Sequence, residues 1–224
     1  MAKSLIPIGC VLALASGLAV AEEGGAPASE LQARLEKQLE QPLTPVGGQL
    51  EVFYPLTAAH ELRDFKSKGF DLIDFHQESA LELGAGSRGT GTLLHKAKLE
   101  GDFEIEFDMW VKHNTPSASV AILLSKKVAV HWGQCLVKPR GLRPYDRRGR
   151  ADPTLFKENR VVHVKIARAG NQVTVSANDQ QVSQHRFTKN ELKSARFGLI
   201  AHNVRFVFHN LRIRFGVKDP ESTP

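Results

Sequence analysis

The sequence predicts an all-β protein, an antiparallel sandwich or barrel preceded by one short amphipathic helix. Three observations predict it. First, Asp102 to Lys112 reads DFEIEFDMWVK, with Phe103, Ile105, Phe107, Met109 and Val111 alternating with Asp102, Glu104, Glu106, Asp108 and Trp110. Successive strand side chains point to opposite faces, so this is a strand with one apolar and one acidic face. Second, roughly ten to twelve short strand patterns follow one another with turn signals at close spacing. Third, only marginal helices interrupt them. Antiparallel sheets bury one face and wet the other, which matches the alternation.

The elements follow in order. MAKSLIPIGCVLALASGLAVAEE has a short positive start at Lys3, an apolar core from Leu5 to Val20 and a small-x-small site at Ala19-Val20-Ala21. This is a secretory signal, residues 1–21, with cleavage after Ala21. The run is too short and too interrupted by Pro7, Gly9 and Gly17 for a stable membrane span, and no second hydrophobic segment follows. The expected compartment is therefore secreted or periplasmic. Residues 22–48 form a spacer and a short helix: Ser29-Glu30-Leu31-Gln32 has the capping-box form, and Leu31, Leu35 and Leu39 recur at i, i+4 spacing before Pro42. That helix docks on the domain or forms a homodimer contact.

Strand signals then run through residues 49–217, with a polar tail at 218–224. Gln49 to Tyr54 reads as an early edge strand, Glu61 to Lys66 as a short helix or turn, and Gly69 to Phe75 and Ser79 to Leu83 as short strands. Gly84 to Gly89 is glycine-dense and reads as a tight turn into Thr90 to His95; no helix or Lys-Ser/Thr pair follows it, so a phosphate-binding loop is excluded. After the acidic strand come Ser117 to Leu124, Lys127 to Trp132, and an insertion from Val137 to Pro153 carrying Arg140, Arg143, Arg147, Arg148 and Arg150. Asn159 to Arg168, Gln172 to Ala177 and Gln180 to Phe187 are strands joined by turns at Gly170-Asn171 and Asn178-Asp179. A helical turn at Lys189 to Ser194 precedes Arg196 to Ala201, a turn at His202-Asn203, and the closing strand Arg205 to Phe215.

Composition narrows the partners. The formal net charge is +6, and much of the basic charge sits in the Val137–Pro153 insertion. In an exported chain this favours an anionic polysaccharide or envelope surface over nucleic acid. Only Cys135 survives cleavage, which leaves no intrachain disulfide and no cysteine-based zinc site. The nine histidines show no metal-ligand spacing, and no nucleophile elbow, dinucleotide fingerprint or P-loop occurs. Neither a metal nor a cofactor is called for.

Three blocks carry a family resemblance. Gly89-Thr90-Gly91-Thr92-Leu93-Leu94 precedes Gly101-Asp102-Phe103-Glu104-Ile105-Glu106-Phe107. Asn159-Arg160 precedes Val162 to Ile166, Val173 to Val175 and Asn178-Asp179. Arg196-Phe197-Gly198-Leu199-Ile200-Ala201-His202 precedes Phe206 to Ile213. Together they resemble the 3-keto-disaccharide hydrolase-like domain, a concanavalin A-like (lectin/glucanase) jelly-roll β-sandwich, over about Asp64 to Phe215. The resemblance implies a jelly-roll fold and a carbohydrate ligand. The chain departs from that pattern at Asn114 to Ser119, which lacks an arginine, and at Val128 to Gly133, which lacks an acidic strand.

Candidate site residues follow from chemistry. Glu104, Glu106 and Asp108, with His131 assisting, are the acid/base candidates, since paired carboxylates serve glycoside cleavage when their environments separate their pKa values. The ordinary reading of the same face is a set of charges opposed by Lys or Arg on neighbouring strands. Trp110 and Trp132 supply aromatic planes for a sugar ring, and His163, Tyr145, Arg147 and His202 are further substrate-binding candidates. The sequence thus predicts a carbohydrate-binding sandwich, with an active glycoside hydrolase and a non-catalytic structural envelope protein as alternatives.

Overall fold

The computed structural model describes residues 28–76, 80–124, 129–133, 159–187 and 195–216. The stretches expected to be a signal and a spacer before residue 28, the arginine-rich insertion with Tyr145 and Arg147, the turn expected at Lys189–Ser194 and the tail at 218–224 lie outside the described residues. The described chain folds as α1 (Ala28–Glu36), β1 (Leu43–Val46), β2 (Gln49–Tyr54), a 3-10 turn (Ala59–Asp64), β3 (Phe65–Lys68), β4 (Leu72–His76), β5 (Ala80–His95), β6 (Phe103–Leu123), β7 (Ala129–Gly133), β8 (Val162–Ala169), β9 (Gln172–Ala177), β10 (Gln180–Arg186) and β11 (Gly198–Phe215). The result is an antiparallel β-sandwich, as the sequence predicts.

Three long strands organise it. β11 lies between β5 and β6 along its first half and between β2 and β6 along its last. β6 in turn pairs with β8 through its first half and with β7 through its second. The sheet continues outward through β9 to β10 on one side and through β2 to β1 on the other.

The hydrophobic pattern explains why these strands are so long. On β11 the core residues are Leu199 and Ala201, then Val204, Phe206 and Phe208, then Leu211, Ile213 and Phe215. The parity changes at Asn203 and again at Asn210, where the register against neighbouring strands shifts and φ is 49° and 53°. At Asn210 this is a bulge of one extra residue on β11; at Asn203 the extra residues lie on the partners, 86–89 on β5 and 115–118 on β6. Both asparagines take a left-handed conformation that asparagine tolerates better than most side chains. The turn predicted at His202-Asn203 is therefore a register irregularity inside one continuous strand. Similarly, Asp102 to Lys112 and Ser117 to Leu124 are two parts of β6.

The glycine-dense stretch also proves to be strand. A Cβ at Gly91 would sit 2.3 Å from the Phe70 ring, and one at Gly84 would sit 2.9 Å from the Leu72 Cβ. Gly84 and Gly91 let Phe70 and Leu72 lie directly on β5, while residues 86–89, between the two glycines, are skipped in the register against β11. The short β1 was hidden by Pro45 and by Gly47-Gly48; those two glycines make the β1–β2 turn at φ 56° and 80°.

Between the layers lies a core that includes Phe107, Phe197 and Phe208, with Phe107 edge-on to Phe208 at 5.2 Å between ring centroids. Leu35 and Leu39 are buried in the same core and Leu31 packs against it. The leucine stripe is thus occupied by the protein's own domain, so a homodimer contact through that stripe has no apolar face left to use.

Asn178 and Asp179 both have positive φ, 48° and 64°, forming the two-residue turn between β9 and β10. Glycine suits the second position better, because aspartate in the left-handed region carries a Cβ clash. Asp179→Gly is expected to stabilise the fold by about 0.5 kcal/mol, read as a rise in the urea midpoint at unchanged slope. A fall in the midpoint would show that the Asp179 side chain contributes a contact of its own.

Candidate functional site

Strand pairing carries the acidic face of β6 into rows across the outer surface. Arg214, Glu104, Glu51 and Ala167 share one row. Arg212, Phe53, Glu106 and Lys165 make the next, and His209, Asp108 and His163 the one beyond. Val207, Trp110 and Glu82 follow. Directly paired residues point to the same side of a sheet, so all of these flank one surface.

The carboxylates are engaged by cations on the neighbouring strands. Lys165 Nζ lies 2.7 Å from Glu104 and 3.0 Å from Glu106. The Arg214 guanidinium bridges Glu104 and Glu51, the latter at 2.8 Å. Burial pushes the Glu106 carboxyl up, but the Lys165 hydrogen bond and charge, with Arg214 and His163, outweigh it and hold its pKa below the usual range. The same contacts raise the Lys165 and Arg214 pKa values against the opposing effect of burial.

Asp108 has a different environment. Its Oδ1 is 2.8 Å from His163 Nδ1, and its Oδ2 accepts from Asn210 Nδ2 at 3.0 Å. His209 Nε2 stands 3.9 Å from the same Oδ2, and burial lowers its pKa while Asp108 opposes that. The His209 ring meets Trp110 edge-on, 5.3 Å between centroids and 88° between planes. Trp110 is therefore a half-buried indole with a fixed orientation, standing next to an oriented carboxylate. On its far side Lys112 is 2.7 Å from the buried Glu82.

Of the residues predicted from sequence, Glu104, Glu106, Asp108, Trp110 and His163 come together. His131 does not join them. The register sets it opposite Ala121, thirteen residues along β6 from Asp108, beyond the reach of an imidazole at about 3.3 Å per residue. His202 stands at the Asn203 irregularity, opposite Thr90 and Ser119. The side chains of His131 and Trp132, like the whole of Tyr145 and Arg147, lie outside the described residues.

Sequence reasoning missed Glu51, His209, Asn210, Arg212 and Arg214 as members of this face. Arg212 and Arg214 alternate with Ile213 and Phe215 and were legible as the polar side of a strand. Their facing partners were not. The Asn210 bulge puts His209 and Arg212, three residues apart, on the same side, a spacing that period-two reading rejects.

Among the described residues no group of three or more His, Cys, Asp or Glu side chains could hold a metal ion, and no helix is long and apolar enough to cross a membrane.

No protein-family model matches the chain, and no curated protein sequence does. Solved structures do resemble it. A Bacillus subtilis protein of unknown function with a galectin-like fold aligns at a TM-score of 0.54 and 12% identity, over 75% of this chain and 96% of that one. The carbohydrate recognition domain of Emp47p aligns at 0.52 and 13% identity, over 74% and 95%. The exoplasmic/lumenal domain of VIP36 aligns at 0.51 and 9% identity, over 77% and 94%. At these identities the likeness is one of fold: the chain has a galectin-like β-sandwich fold.

Proposed function

We propose that this chain is an exported carbohydrate-binding β-sandwich whose outer polar face, centred on Trp110 and Asp108, holds a glycan without cleaving it. The observation that carries the reading is the pairing of an indole fixed by His209 with a carboxylate oriented by His163 and Asn210. A sugar ring offers an apolar C–H face and a rim of hydroxyls. Trp110 supplies a plane for the first, and the Asp108 acceptors with the Asn210 and imidazole groups supply partners for the second. Structural neighbours that are themselves carbohydrate recognition domains support this reading, as do the motifs resembling the 3-keto-disaccharide hydrolase-like domain.

The same geometry weighs against glycoside cleavage by Glu104 and Glu106. A general acid needs a raised pKa, so that it carries its proton near the working pH. Glu106 is shifted the other way, and Glu104 is gripped by both Lys165 and Arg214. Through Lys165 and Arg214 these two carboxylates tie β6 to β8 and β11.

A glycan-array screen followed by calorimetry tests the proposal. The chain is expected to bind at least one oligosaccharide class, and Trp110→Ala is expected to weaken that binding at least tenfold while leaving the fold intact by circular dichroism. Binding that is indifferent to Trp110→Ala would remove this face from the reading. Release of reducing sugar that disappears in Glu104→Gln would restore the hydrolase alternative.

A further inference from the structure

Arg212 is an exposed cation of the outer face that its neighbours neutralise only in part. Its cross-strand neighbour on β6 is Glu106, which is taken by Lys165 at 3.0 Å. Its cross-strand neighbour on β2 is Phe53, which carries no charge. Glu51, on the diagonal, gives its short contact to Arg214 at 2.8 Å and stands 3.8 Å from the Arg212 Nε. Instead of closing on a carboxylate, the guanidinium lies over the Phe53 ring with its carbon 5.0 Å from the centroid. Both partners are open to solvent: the Arg212 side chain is 46% exposed and Phe53 is 37% exposed.

We propose that Arg212, laid on Phe53, is a subsite for the carboxylate or sulfate group of an acidic oligosaccharide. The inference rests on the glycan reading of this face and deepens it by naming the ligand's charge. A guanidinium supported on an aromatic ring keeps its plane and its N–H fork oriented, so less freedom is lost when an oxyanion docks on it. Two parallel N–H···O bonds to a carboxylate or sulfate are the strong, directional use of such a fork. The exposed edge of Phe53 gives the adjoining sugar carbons an apolar contact. Glu106, directly opposite Arg212, is four residues from Trp110 on β6, or about 13 Å at 3.3 Å per residue. A ligand touching both the indole and the guanidinium is therefore an extended oligosaccharide, with Asp108 and Asn210 meeting its middle. Glu51, Glu104 and Glu106 make their short contacts to Arg214 or Lys165, while Arg212 keeps only the 3.8 Å contact to Glu51, so its N–H fork is not closed on a carboxylate.

The test uses the full chain on an array of oligogalacturonates, alginate and hyaluronan fragments and sulfated oligosaccharides. Carboxyl-reduced and desulfated counterparts of each are included. The expected result is preferential binding to acidic members. Arg212→Gln is expected to weaken them at least tenfold and their neutral counterparts less than twofold, and to flatten the salt dependence of binding. Arg212→Lys is expected to recover part of the salt dependence and little of the affinity, because a point charge replaces the fork. Carboxylate and sulfate arms identify which oxyanion is read. Trp110-dependent binding confined to neutral sugars, or equal losses on acidic and neutral probes in Arg212→Gln, would overturn the subsite and leave the glycan reading standing. Failure of every probe to bind would overturn both.

Discussion

Asp64→Ala is expected to lower the unfolding free energy by about 3–5 kcal/mol, because hydrogen bonds to a charged group contribute roughly 1.5–3 kcal/mol each and two of the three donors to this carboxylate are only part-buried. Asp64 is fully buried, and its carboxylate accepts from the Glu40 amide at 2.7 Å, the Gln41 amide at 3.0 Å and the Tyr54 hydroxyl at 2.9 Å. The alanine leaves the Glu40 and Gln41 amides without their acceptor, while the Tyr54 hydroxyl can turn to His95 Nε2 at 2.9 Å; an orphaned donor costs on the order of 1–3 kcal/mol when water cannot reach it. The two amides belong to the segment joining α1 to β1, so the loss also loosens the attachment of the N-terminal helix. Tyr54→Phe removes a donor to Asp64 and the acceptor facing His95 Nε2, and should cost about 1–3 kcal/mol. Urea unfolding of both variants checks this. A loss under 1 kcal/mol for Asp64→Ala would show that water replaces the carboxylate and that the N-terminal segment is not anchored there.

Acid is expected to destabilise the fold through His95, by about 3 kcal/mol between pH 6.5 and pH 4. His95 is completely buried, with Nε2 2.9 Å from the Tyr54 hydroxyl oxygen. Burial pushes its pKa down from 6.5 to about 4, against the attraction of Asp64. The single phenol proton goes to Asp64, so the imidazole presents Nε2–H to the Tyr54 oxygen and stays neutral. Desolvation, with the nearby Asp64 charge, also keeps the Tyr54 phenol protonated well above its ordinary range.

The sign follows from proton uptake. Between pH 6.5 and about 4 the unfolded chain binds a proton at His95 that the native state refuses. Stability is therefore fully present above pH 6.5 and falls by about 1.4 kcal/mol per unit through the window; below it both states are protonated and this slope vanishes. Unfolding free energies of the wild type and His95→Gln across pH 4 to 8 isolate the effect. The variant should be less stable at pH 8 and lack this component of the slope. Equal slopes in the two proteins would mean that His95 takes up its proton in the native state.

Much of the fold was legible because it rests on short-range pattern. The period-two alternation of Phe103 to Val111 and of Val162 to Ile166 marks which side faces the core, and the structure buries those sides. The turns at Gly170-Asn171 and Asn178-Asp179 were legible from residues that tolerate positive φ. Reading failed where one residue type serves two ends. Glycine marks both turns and close backbone approach, so the glycines of Gly84 to Gly89 do not by themselves reveal that this stretch lies within β5. Asparagine likewise serves both turns and left-handed positions within strands, so Asn203 does not by itself reveal that its strand continues through it.

The sequence alone determined that a long strand would present Glu104, Glu106, Asp108 and Trp110 on one side, because side-chain alternation is a local property of extended backbone. Only the tertiary structure decided what stands opposite them. Lys165 is 59 residues from Glu106 along the chain and Arg214 is 110 from Glu104, and strand register alone brings each pair into contact. A carboxylate that would ionise normally in water becomes a buttressed anion at Glu106 and an oriented acceptor at Asp108, according to which cation, imidazole or amide the pairing delivers. Register is set by the hydrophobic faces and by the irregularities at Asn203 and Asn210, through interactions that span most of the chain. The roles of residues on the polar face are therefore fixed by the fold as a whole, and no local pattern reveals them.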